Sequence, residues 1–109
     1  MRIWDIPPNK LCRNHLLGEH RELHAIWSVI TNDKKGYARH PETLRWKGKL
    51  KALFHRHEAL TREMVARGYR HVSPLAKKRA TGLARQYDYV DTPRRQAVIL
   101  RAKKCHCDV

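Results

Sequence analysis

Acidic residues are scarce in this chain: ten Asp and Glu stand against 24 Lys and Arg over 109 residues, leaving a formal charge of +14. Such a surface attracts polyanions and releases their counterions on binding, so nucleic acid is the first partner to consider. Apolar runs are short. No stretch of about 18 apolar residues occurs, which excludes a membrane-spanning helix, and the opening MRIWDIPPNK lacks the apolar core of a signal peptide. The expectation is a cytoplasmic protein, nucleoid-associated or viral. Three cysteines, an odd number, do not make a disulfide framework. No internal repeat, no low-complexity segment and no strand-like alternation long enough to specify a sheet is found. Phenylalanine occurs once, but there are three Trp and four Tyr, aromatics that pack and still offer a polar edge.

What remains is helical. Leu16, His20, Leu23, Trp27 and Ile30 step by four and three, one stripe of a helix predicted over 10–31, with Pro7-Pro8-Asn9 before it and 32–36 as a stop. Trp46, Leu50, Leu53, His57, Leu60 and Met64 repeat the pattern and predict a second helix over 42–67. Pro41 suits its first turn, Gly68 its C-terminal cap, and Gly48 a bend early in its course. Residues 69–91 are ambiguous, with a short helix near 75–85 possible and weakened by Gly82. Thr92-Pro93 reads as an N-cap and first-turn proline opening a third helix over 93–104. The predicted fold class is all-α, a single compact domain (1–109) of three main helices with irregular connections, monomeric by default.

The stretch HLLGEHRELHAIW (15–27) gathers two carboxylates and three histidines on one half-apolar helix of a strongly basic protein. His15, Glu19, Glu22 and Ile26 share a face. Ordinary Glu–Arg and Glu–His helix pairs would account for it. A surface meant for phosphate, however, has no use for carboxylates unless they have a chemical task. The segment before this helix is only about nine residues long and is expected to fold back, bringing the N-terminus near. A free α-amine has a pKa near about 7.7–8.0, against about 10.4 for lysine, so on the order of a tenth of it is a ready nucleophile at neutral pH. An adjacent carboxylate can manage its protons.

Basic residues cluster around the second helix: Lys34, Lys35, Arg39, Arg45, Lys47, Lys49 and Lys51 form the expected phosphate-contacting flank. Tyr37 and Trp46 lie among them and suit stacking or wedging, although Trp46 also lies on the apolar stripe and fits the core. His55 and His57 read as a surface and a semi-buried histidine rather than ligands. Arg94, Arg95, Arg101, Lys103 and Lys104 give the last helix a basic face, either on DNA or solvated. The tail Lys103-Lys104-Cys105-His106-Cys107 admits three readings together with Cys12: structural zinc, a disulfide, or free thiols.

MRIWDI, NHLLGEHREL and KLKALFHRHEALTREMVARGY resemble the pyrimidine-dimer DNA glycosylase family, the phage endonuclease V-like enzymes. The likeness is close over the first helix, good over the second through Arg67-Gly68-Tyr69, and fades after about residue 75. It implies a three-helix fold and a glycosylase that is also an abasic-site lyase, acting on ultraviolet pyrimidine dimers in duplex DNA without metal or organic cofactor. The implied mechanism is an imine between the N-terminal α-amine and sugar C1′, followed by β-elimination, with a nucleotide flipped from a kinked duplex. By the same resemblance Met1 supplies the amine and Glu22 is the catalytic glutamate. Arg21 contacts the damaged strand, His15 belongs to the active site, and Arg2 follows the nucleophile. Where the resemblance implies a further arginine the chain has Ala25, and it ends without an aromatic-rich tail. The competing readings are a lyase or glycosylase for another damaged base, and a non-catalytic basic nucleic-acid-binding protein.

Overall fold

The structure is a computed structural model that describes residues 2–70 and 73–109. A 3₁₀ turn, Pro8–Lys10, precedes α1, Arg13–Thr31. A four-residue α2, Pro41–Leu44, is followed by α3, Leu50–Ala66. A second 3₁₀ turn, Lys77–Arg79, and α4, Pro93–Ala102, complete the order. Among the described residues there is no strand, only an isolated bridge between Lys49 and Gly82. The all-α expectation holds, and among the described residues no helix is long and apolar enough to cross a membrane.

α1 and α3 carry the two apolar stripes and face each other. Leu16, Leu23 and Ile26 of α1 meet Leu53, Leu60 and Met64 of α3, all buried. Each such side chain contributes about 1.5–3 kcal/mol of transfer free energy. Leu100 of α4 and the N-terminal Ile3, Trp4 and Ile6 close the same core. The Cα radius of gyration is 13.5 Å, against about 13 Å expected for a chain of this length.

The helix boundaries differ from the sequence expectation in instructive ways. α1 starts at Arg13, not near residue 10, because Pro7 and Pro8 spend their fixed φ on the 3₁₀ turn and Leu11 is then buried in extended chain. The second predicted helix is two. Pro41 opens α2 with the His40 ring capping Glu42 N–H at 3.1 Å. The chain then turns through Gly48, at φ +75°, before α3. α3 ends as expected at Gly68: its N–H donates to Val65 and that of Tyr69 to Met64, a Schellman closure with Gly68 at φ +82°. The possible helix near 75–85 is only the 3₁₀ turn. α4 matches its prediction closely, with Thr92 Oγ1 accepting from Arg95 N–H at 3.2 Å.

The segment after the 3₁₀ turn serves the start of α3. Helix N-termini leave N–H groups without intrahelical partners. Here Lys51 N–H donates to Thr81 O at 2.8 Å and Ala52 N–H to Leu83 O at 3.1 Å, while Leu83 N–H returns to Gly48 O at 2.9 Å. Gly82, at φ +83°, lies so close that an added Cβ would meet Gly48 O at 2.1 Å.

Candidate active site

The N-terminal segment is gripped by buried side chains. Trp4 N–H donates to Glu19 Oε1 at 2.9 Å and Ile3 N–H to Glu42 Oε2 at 2.9 Å. Asp5 N–H donates to Gln96 Oε1 at 2.7 Å, and the Gln96 amide returns to Asp5 Oδ2 at 2.9 Å. Backbone amides left unpaired in a core cost about 1–3 kcal/mol each, and a short segment with no sheet partner must find side-chain acceptors instead. Glu19 and Glu42 are those acceptors, so both are buried. Burial pushes the Glu19 carboxyl above the ordinary carboxylate value, and the Arg56 guanidinium and the Trp4 amide pull it back. Arg56 meets it in a fork, at 2.6 and 3.0 Å.

Arg45 was expected on the phosphate-contacting flank, and the structure corrects this. Its side chain is only 5% exposed and pairs with both Glu42 and Asp5. It also donates to Ile3 O at 3.0 Å and Asp88 O at 3.1 Å. Burial disfavours its charge, but the hydrogen bonds it donates to Glu42 and the charge of Asp5 more than offset this, and its pKa is raised. Trp46, beneath the Arg45 guanidinium at 4.7 Å, is core and no wedge. Lys49 is likewise engaged, by Asp88 and Gln86.

Glu22 lies one turn beyond Glu19 on α1, half-buried, and has no hydrogen bond or ion pair among the described residues. Met1, the expected nucleophile, lies outside the described residues. Arg2 pairs with Asp91 at 3.0 Å and covers the Trp4 ring at 5.0 Å. Arg21 sits on the other edge of α1, exposed, and lines a cleft of about 670 Å³ with Arg13, Leu17, His20, His24, Met64, Tyr69, Arg70 and Ser73. Glu22 and Arg21 therefore flank α1 rather than share one pocket. Lys34, Lys35, Arg39 and Lys47 are exposed, as a phosphate flank requires. Tyr37 is 68% exposed, and its backbone is left-handed at φ +60°, a conformation that costs a non-glycine residue about 1–2 kcal/mol.

The family model for pyrimidine dimer DNA glycosylase matches residues 1–77. The chain belongs to the pyrimidine dimer DNA glycosylase family. No curated protein and no solved structure is found to match it. Membership in a DNA glycosylase family implies that the chain binds damaged DNA, and the matched span takes in the N-terminal segment, α1, the basic loop and α3.

Two clusters stand beside this frame. His20, His24 and His57 converge on the cleft wall, with Nε2 atoms of His20 and His24 at 3.3 and 3.2 Å from His57 Nε2, and His57 Nε2 at 2.8 Å from Ser73 O. His57 was expected to be semi-buried and is fully buried. The i,i+4 pair His20–His24 and the stripe position of His57 were the signals that could have joined them. His15, expected in the active site by resemblance, turns its Nδ1 toward Cys12 Sγ at 3.1 Å and Cys107 Sγ at 3.3 Å. Burial and the charge of Lys103 hold its ring below the ordinary imidazole value.

Proposed function

We propose that this chain is a bifunctional DNA glycosylase and abasic-site lyase acting on ultraviolet pyrimidine dimers in duplex DNA. Its nucleophile in this reading is the α-amine of Met1. The amine attacks sugar C1′ and the C1′–N bond to the base breaks; the C1′–O4′ bond of the sugar ring then opens, O4′ taking a proton and the nitrogen losing one, which leaves an imine. A base then takes a C2′ proton, the C3′–O bond breaks with phosphate as leaving group, and water releases the amine. Glu22 is the proton carrier and stabilises the developing sugar cation. Lys34, Lys35, Arg39 and Lys47 hold phosphates and Arg21 the damaged strand. Tyr37, held outward on a strained backbone, suits stacking against an opened duplex.

The observation that supports this most directly is the grip on residues 3 and 4. Buried carboxylates of α1 and α2 fix the amides just after the chain end, one helical turn from a half-buried glutamate with no partner among the described residues. Positioning of that kind supplies much of the rate of a covalent step.

Borohydride trapping on two duplexes, one with a single cyclobutane dimer and one with a single abasic site, tests it. With a free amine confirmed by mass spectrometry, the expected result is an adduct at Met1 on both. Glu22→Gln should bind duplex within a few-fold of wild type and turn over about 100-fold or more slowly. An adduct on the abasic duplex alone reduces the reading to a lyase. No adduct on either overturns it in favour of a basic nucleic-acid-binding domain, and full turnover by Glu22→Gln overturns the role given to Glu22.

A further inference from the structure

We propose that Cys12, His15, Cys105 and Cys107 form a four-ligand zinc site that fastens the C-terminal segment to the start of α1. Their four ligand atoms all lie within 4.8 Å of one another, although Cys12 and Cys107 are 95 residues apart. Tetrahedral zinc, with Zn–S about 2.3 Å and Zn–N about 2.0–2.1 Å, sets sulfur–sulfur separations near 3.8 Å and sulfur–nitrogen separations near 3.5 Å. The observed Cys12 Sγ–His15 Nδ1 and Cys107 Sγ–His15 Nδ1 distances of 3.1 and 3.3 Å need only a few tenths of an ångström of adjustment.

Local structure explains how the set assembles. Cys12 is the N-cap of α1, extended at ψ 168°, and His15 follows in the first turn, so C-x-x-H aims both side chains at one point. Beyond α4 the chain reverses: Cys105 N–H donates to Lys103 O, and Asp108 N–H to Lys10 O at 2.7 Å, which lays C-x-C against the same point. Cys12 N–H donates to Cys107 Sγ at 3.1 Å, the kind of outer bond that supports a thiolate ligand. Soft thiolates with one imidazole select zinc among the common divalent ions, and four protein ligands leave no open position for catalysis. Three thiolates on Zn²⁺ leave one net negative charge, beside Lys10, Arg13, Lys103 and Lys104 in the chain. A disulfide would use two sulfurs and give no reason for the third thiol or for an imidazole nitrogen facing two sulfurs. Cys105 and Cys107 also lie beyond the 77 residues that the family model matches, so the site is not read from the family.

The test uses the full untagged chain from zinc-supplemented culture. Elemental analysis should give one zinc per chain after exhaustive dialysis. Cys107→Ser should retain roughly tenfold less zinc or lower still. Because that variant can fail to fold, wild type is also exchanged with Co²⁺. A sulfur-to-cobalt charge-transfer band together with tetrahedral ligand-field bands supports the site and distinguishes thiolate ligation from binding at the three histidines. A metal-free chain with no such band, a mass lower by two hydrogens from a disulfide, or a cobalt spectrum without sulfur charge transfer overturns it. None of these readouts depends on glycosylase activity, so failure here and failure of the proposed function are separable.

Discussion

Glu19 and Glu22 are the same residue type three positions apart, and their surroundings give them opposite work. Glu19 has its carboxylate filled by Arg56 and by the Trp4 amide, so nothing is left for a substrate. Glu22 keeps its oxygens. Removing one partner of a buried ion pair strands the other, at about 3–5 kcal/mol. Glu19→Ala should therefore lower stability by about 3 kcal/mol in a denaturant melt and release the N-terminal segment to limited proteolysis, whereas Glu22→Gln should leave the melt within about 0.5 kcal/mol. The sequence displayed both glutamates on one face, but not which was occupied, because the occupants Arg56 and Trp4 come from 37 residues after and 15 before Glu19. The same limit hid Arg45: in the sequence it is one of seven cations, with Glu42 one turn before it, and only the fold adds Asp5. Exposed cations such as Lys34 and Lys35 needed no such information and were legible from composition.

Among the elements, those whose signals are local were read well. Thr92-Pro93 opened α4 and Gly68 closed α3 because caps act within one turn. The break between α2 and α3 was less legible. A single stripe runs through Trp46, Leu50 and Leu53 on both sides of it, and Gly48 takes φ +75° only because segment 81–83 caps the new helix. That dependence makes Gly82 a sharp test. Gly82→Ala combines a left-handed backbone with a Cβ 2.1 Å from Gly48 O. It should cost at least about 2 kcal/mol, measured by chemical denaturation. Amide exchange should quicken first at Lys51 and Ala52, whose N–H groups lose their acceptors.

The whole molecule carries +14, yet its cations divide into two populations. Arg45, Lys49, Arg56 and Arg67 are held in ion pairs. Lys34, Lys35, Arg39 and Lys47 are exposed on the loop and turn flanking α2. Of these two groups only the second is free to displace counterions from a duplex, together with other exposed cations such as Arg21 and Lys51. Replacing those four by Gln should flatten the plot of log affinity against log salt by roughly 0.9 for each lost phosphate contact, while the fold persists. Arg45→Gln should instead unfold the N-terminal segment and leave the slope of any remaining binding unchanged. Composition made the partner class legible. It could not sort bound cations from free ones, because partners such as Asp5 for Arg45, Asp88 for Lys49 and Glu19 for Arg56 are far away in the sequence.

The clasp between Asp5 and Gln96, 91 residues apart, has a consequence for the life of the chain. Residues 3–5 emerge from the ribosome early, but Gln96 emerges near the end of synthesis. Closing so long a loop carries its entropic charge before any contact repays it. The helix pair α1–α3 can form on the nascent chain and offer Glu19 and Glu42 to the Trp4 and Ile3 amides, but the clasp on Asp5 waits for α4. In the proposed reaction, which depends on that clasp, a chain that stops between α3 and α4 should bind nucleic acid without cutting it.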